Sequence, residues 1–176
     1  MHATINSPTI HNHAIVRPTL VEVDLSRLAG NFLAIREHAG PAKVMPILKA
    51  NAYGHGLLRT AQLMEALGAD YIGVAVLEEG ILLRENGITT PILVLGGILG
   101  NQVPGFLEHN LTITASSIEK LRQVEQVAEQ MGVQARVHLK IDTGMERIGV
   151  HYYTAETLLE AALDCRHLDV EGIYSH

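Results

Sequence analysis

Lys49 ends the apolar run Val44-Met45-Pro46-Ile47-Leu48 and is followed by Ala50-Asn51-Ala52-Tyr53-Gly54-His55-Gly56, after which apolar periodicity resumes at Leu57. An amine carried by a strand end into a small-residue loop stands where α/β proteins place chemistry, because backbone is packed behind such a site and open in front of it. Two readings are open for Lys49. A surface lysine would lay its stem along apolar neighbours. A desolvated amine would be neutral, nucleophilic and able to form a Schiff base with a carbonyl. Spacing alone favours the first. Further on, Lys140 and Arg147 bracket the turn Ile141-Asp142-Thr143-Gly144-Met145-Glu146. A guanidinium there stays charged and can grip a carboxylate with two N–H groups, although an arginine after a Gly-Met turn also reads as a plain surface residue. Tyr53 is equally a core tyrosine or a hydroxyl aimed at a ligand. Gly54 and Gly56 by themselves signal only a turn. Cys165, the single cysteine, lies in a helical pattern and reads as a small buried hydrophobe. His2, His11 and His13 sit in a polar lead-in and read as part of a tail; no metal site is expected.

The elements that must position these groups alternate along the chain. Residues 1–16 read as a flexible tail and residues 17–42 as an opening strand (17–24) and helix. Asp24 or Ser26 is the cap of that helix, Leu25, Leu28, Phe32 and Ile35 share its apolar face, and Gly40 ends it. From residue 43 a repeating unit appears, with short strands expected at 44–48, 71–76, 92–95, 111–115, 137–141 and 170–174. Helices are expected at 57–67, 77–86, 102–109, 116–131 and 154–163, the last capped by Thr154. Near-continuous apolar strands alternating with amphipathic helices imply a parallel sheet covered by helices. The fold class is therefore α/β, a partial (β/α)8 TIM barrel with about six of eight βα units, occupying residues 43–176. An open doubly wound sheet is the alternative, weakened because no G-x-G-x-x-G follows the first strand. A barrel missing two units would expose two apolar edges, so isolated stability is in doubt.

Bulk properties narrow the partners. The 176 residues are 47% hydrophobic and 18% charged, an ordinary globular balance with an aliphatic core. A net charge of −6 without a basic cluster argues against nucleic acid or an anionic membrane as partner. The N-terminus lacks the pattern of a secretory signal, and no apolar run approaches the roughly 20 residues of a membrane span. A lone cysteine suits a reducing compartment. A cytoplasmic location is expected.

The string Lys49-Ala-Asn-Ala-Tyr-Gly-His-Gly56 resembles the pyridoxal-phosphate lysine motif of the alanine racemases. Three further stretches agree in order and spacing. Leu20-Val21-Glu22-Val23-Asp24-Leu25 resembles the family's opening strand. Leu139-Lys140-Ile141-Asp142-Thr143-Gly144-Met145-Glu146-Arg147-Ile148-Gly149 resembles its second signature. Gly172-Ile173-Tyr174-Ser175-His176 resembles the strand that ends in its histidine. The resemblance runs from about residue 17 to the last residue and implies the N-terminal portion of a racemase of L- and D-alanine, serving peptidoglycan synthesis. It implies that Lys49 holds pyridoxal phosphate and then acts as acid and base on one face of Cα, and that Tyr53 approaches the cofactor phosphate. Arg147 would reach the phenolic oxygen and the substrate carboxylate, Lys140 would be the lysine open to carbamylation, and His176 would lie beneath the cofactor ring, frayed if it is a true terminus. Glu146 departs from the small or neutral residue the family often carries before the arginine.

The resemblance also implies components not found in these residues: a β-rich C-terminal domain, most phosphate contacts, and the opposite-face base, supplied by a partner in a homodimer. The expected partner is thus a small amino acid, and the chain alone is expected to be inactive. The competing reading is a non-catalytic pyridoxal-phosphate-binding barrel, although such barrels lack the Ala-Tyr-Gly-His-Gly continuation. A decarboxylase relative would need a nucleophilic cysteine, for which Cys165 is poorly placed.

Overall fold

Short β-branched runs become strands of one parallel sheet, and the longer amphipathic segments between them become its helical cover. In the computed structural model, which describes residues 20–176, the strands are β1 (Ile72–Val74), β2 (Ile92–Val94), β3 (Thr112–Ala115), β4 (Ala135–Asp142), β5 (Val150–His151) and β6 (Leu168–Tyr174). The sheet runs β1-β2-β3-β4, and both β5 and β6 pair with β4, all in parallel. The connecting helices are α1 (Leu25–Ala39), a five-residue turn α2 (Lys49–Tyr53), α3 (Leu57–Ala66), α4 (Leu77–Glu85), α5 (Val103–Glu108), α6 (Ile118–Met131) and α7 (Ala155–Leu163). This is the partial (β/α)8 barrel, an arc in which β4 and β6 close one end and residues 44–48 the other.

The alternation along β4 shows how the arc is built. Ala135, Val137 and Leu139 are at most 1% exposed and face the helices, while Arg136, His138, Lys140 and Asp142 point to the opposite, concave face. Behind the sheet, Phe32, Met64, Leu83, Phe106 and Val124 pack on Ile72, Ile92 and Ile113. Leu121, Leu139 and Leu158 form a second cluster under α7. Those two clusters explain why the strands can be so short: three or four residues suffice when every side chain on the helix side is buried.

Several expectations need correction. Of the strand expected at 17–24, residues 17–19 lie outside the described residues, and residues 20–24 lead into α1 without pairing. Leu20 and Val21 are 69% and 85% exposed, and among the described residues no strand pairs with them. Residues 44–48 make one bridge, Ile47 with Gly73, in which Leu48 N donates to Gly73 O (2.7 Å) and Gly73 N to Pro46 O (2.9 Å). Pro46 has no N–H with which to continue the ladder, so the strand stops there. Asp24 does cap α1, accepting from Ser26 N and Arg27 N, but only Phe32 of that helix is buried and Ile35 is 59% exposed. Thr154 occupies the N-cap position of α7, which starts at Ala155, but its side chain makes no capping bond; its hydroxyl donates to His151 O instead. β5 was not foreseen. Its two residues carry too little pattern to register, and Gly149 (φ +119) lets it approach β4, since a Cβ there would meet Lys140 O at 2.9 Å.

Candidate active site

The C-terminal ends of the strands surround a cavity of about 340 Å³ lined by Lys49, Ala75, Leu95, Gly96, Gly97, Lys140, Arg147, Ile148, Tyr174 and His176. Each lining residue follows or ends a strand or the 44–48 segment, the face on which barrel enzymes build their sites. Four residues singled out by sequence, Lys49, Lys140, Arg147 and His176, thus meet at one place. Tyr53 does not line this cavity and is 62% exposed. Among the described residues no side-chain carboxylate lines it, so its side-chain charge is cationic.

Lys49 is positioned by an unusual piece of backbone. Ala50, Asn51, Ala52 and Tyr53 have φ of 52–56°, a left-handed turn made of four non-glycine residues. Such a conformation costs about 1–2 kcal/mol per residue and persists only where surroundings hold it. Glu79 does much of the holding: its carboxylate accepts from Ala50 N (2.7 Å) and Ala75 N (2.8 Å), joining the Lys49 turn to the end of β1. The Asn51 side chain accepts from Leu57 N (2.8 Å) and so starts α3. The left-handed turn brings half-buried Lys49 into the cavity lining.

Arg147 is positioned by Asp142. The carboxylate at the end of β4 accepts from the backbone N–H groups of Gly144 (2.8 Å), Glu146 (3.2 Å) and Arg147 (3.2 Å), which folds the intervening loop back over the strand end. Those bonds, the one from Gly144 first, hold the Asp142 carboxyl below its ordinary range. Lys140 is only 3% exposed. Burial, then the Arg147 guanidinium, push its amine below the usual lysine value, with Asp142 opposing. Asp142, Glu146 and His151 each bring a ligand-type atom within 4.8 Å of the others, yet Asp142 already spends both oxygens on the loop. The histidines of the polar lead-in lie outside the described residues. Cys165 lies just past α7 (Ala155–Leu163) rather than within a helix, its thiol donating to Ala161 O and pushed up by burial, away from the cavity lining.

Sequence reasoning missed Tyr174, Thr114, Glu79 and Asp142 as site-building residues. Tyr174 was in view within the Gly172–His176 string; Glu79 carries no local signal for the site, because its partner in the Lys49 turn, Ala50, lies 29 residues away. A polar group deeper on the concave face was also unforeseen. The register between β4 and β6 shifts after Val137, leaving Glu171 as the extra residue of a bulge. Its carboxylate accepts from Tyr71 Oη (2.6 Å), whose hydroxyl is pushed up to about 12 by burial and then by that carboxylate.

Comparison with known proteins adds the following. The family model for the alanine racemase N-terminal domain matches residues 23–176. The alanine racemase of Geobacter sulfurreducens is 42% identical over 161 residues, covering 91% of this chain and 42% of that protein. A Clostridium difficile alanine racemase solved with cycloserine superposes with a TM-score of 0.85 at 36% identity, covering 92% of this chain and 45% of that one. A histidine racemase from Leuconostoc mesenteroides superposes with a TM-score of 0.80 at 29% identity, covering 86% of this chain and 41% of that one. The chain therefore spans less than half the length of these relatives.

Proposed function

The chain belongs to the alanine racemase N-terminal domain family, and from that premise we propose that it forms the pyridoxal-phosphate-carrying barrel of an enzyme interconverting L- and D-alanine. The observation that carries this reading is the cavity lined by Lys49, Lys140, Arg147 and His176, with no side-chain carboxylate of the described residues among its walls. A cationic, glycine-floored cavity of that size fits an anionic, flat aldehyde cofactor. Lys49 would hold its aldehyde carbon, Arg147 would meet its phenolic oxygen, and His176 would lie under its ring; Tyr53, exposed and outside the cavity lining, has no contact assigned to it. When bound, pyridoxal phosphate supplies the electron sink that makes the substrate Cα proton removable.

The chain's own residues then have separate tasks. The Lys49 amine would take or return a proton at Cα from its own side. Arg147, with its planar fork of N–H donors, would orient the substrate carboxylate. Lys140, once carbamylated, would set an anion beside Arg147 in place of a cation. The opposite-face base belongs in this reading to the rest of a longer, homodimeric cytoplasmic enzyme that makes D-alanine for the cell wall.

The test is borohydride reduction of the chain with pyridoxal phosphate, followed by peptide mapping. Label is expected at Lys49 and absent from Lys49→Ala; label on another lysine of folded protein refutes the assignment. A coupled D-alanine assay follows, in which the 176-residue chain alone is expected to show no turnover. Competing L-amino acids belong in that assay, because one structural neighbour is named a histidine racemase.

A further inference from the structure

Tyr174 is the one aromatic residue of the cavity wall other than His176, and its surroundings fix it at both ends. Lys140 and Tyr174 are direct partners in the parallel β4–β6 pairing, so their side chains leave the sheet on the same face. Lys140 Nζ lies over the Tyr174 ring, 4.1 Å from its centroid. At the far end of the ring, Tyr174 Oη is 2.8 Å from Thr114 Oγ1. Thr114 has one hydroxyl hydrogen and donates it to Val94 O at 2.7 Å, so the Tyr174 hydroxyl must be the donor to Thr114. The ring is thereby tied through β3 to β2. His138 meets the ring edge-on at a centroid distance of 6.2 Å. Gly172 leaves room for that imidazole, since a Cβ there would stand 3.1 Å from its ring atoms.

We infer that Tyr174 is a positioning residue: its ring, anchored through Thr114, seats the Lys140 amine on the cavity wall near Arg147. The seat fixes where Lys140 Nζ stands on the cavity wall, and hence where a carbamate formed on it would face Arg147. This deepens the cofactor reading above and rests on it only for the identity of the group that fills the cavity. The charged or titratable groups that share the seat are Arg147 and Asp142 from the end of β4 and its loop, and Lys49 and His176 across the cavity. Glu171 stands deeper, beyond His138. The ring covers one side of the amine and so limits the approach of a reagent from that side.

Acetic anhydride labelling of the 176-residue chain across neutral pH, with peptide mapping of each lysine, tests the seat. Tyr174→Leu is expected to raise the rate at Lys140 by about threefold relative to Lys43 and Lys120 in the same sample. Tyr174→Phe keeps the ring and should return that rate close to the parent. Thr114→Val loosens the anchor and should fall between the two. An unchanged Lys140 rate in Tyr174→Leu, or a rise in Tyr174→Phe equal to that in Tyr174→Leu, overturns the inference. If Tyr174→Leu speeds all lysines together, Thr114→Val decides, and a rise there that is not confined to Lys140 also overturns it. Reductive trapping of pyridoxal phosphate at Lys49 is read separately on the parent. Failure of that trapping with the Lys140 pattern intact removes the cofactor reading and leaves the seat standing.

Discussion

Asp142 shows how one side chain sets the geometry of a functional loop. Its carboxylate gathers three backbone N–H groups between Gly144 and Arg147, and the arginine arrives in the cavity because the loop is tied there. Because the folded value is depressed, the carboxylate's contribution is fully present above the unfolded value near ~3.9 and fades as pH falls through the folded one. Asp142→Asn should therefore be less stable than the parent at neutral pH, with the gap narrowing below about pH 4. Thermal melts of both proteins between pH 3 and 7 check this; a pH-independent gap would contradict it. Gly96 acts through absence. A Cβ at this position would collide with the Ala75 carbonyl oxygen, so the cavity floor depends on two backbones lying close. Gly96→Ala should cost about 1–3 kcal/mol, visible as a lowered melting temperature.

Among the elements, α6 is the most self-sufficient. Ser117 accepts from Lys120 N (3.2 Å) at its start, Gly132 ends it in a left-handed conformation, and Leu121, Val124 and Ala128 are wholly buried along one face. Cap, stop and stripe all agree, which is why its limits match the sequence pattern closely. Ser117→Ala should cost about 1 kcal/mol, measurable by chemical denaturation. By contrast, α1 has a sound cap and stop but buries Phe32 alone, leaving Leu33 and Ile35 48% and 59% exposed. Local signals place a helix; they do not supply what it packs against.

Across the whole molecule, stability should follow the arc. β2 and β3 are flanked on both sides and their residues are almost fully buried, whereas β6 pairs with β4 alone among the described residues and exposes Val170 and Ile173. Amide hydrogen exchange is expected to be slowest in β2 and β3 and clearly faster in β6 and residues 44–48. Protection of β6 equal to that of β3 in dilute, monomeric protein would show that its edge is covered. Among the described residues no helix is long and apolar enough to cross a membrane.

The sequence by itself determined the alternation of strands and helices, most caps, and the strings around Lys49, Arg147 and His176 that carry the family resemblance. These are properties of neighbours in the chain, set by side-chain periodicity and local hydrogen bonding. Tertiary structure decided what those residues meet. Glu79 reaches the Lys49 turn from 29 residues away, and Tyr174 finds Thr114 from 60 away. Sheet register aligns Lys140 with Tyr174 and leaves Glu171 as the bulged residue. Two expected strands fell short for related reasons: 44–48 lost a donor at Pro46, and 20–24 found no partner among the described residues. A residue's type limits the bonds it can make, but only the packed sheet brings a partner within reach.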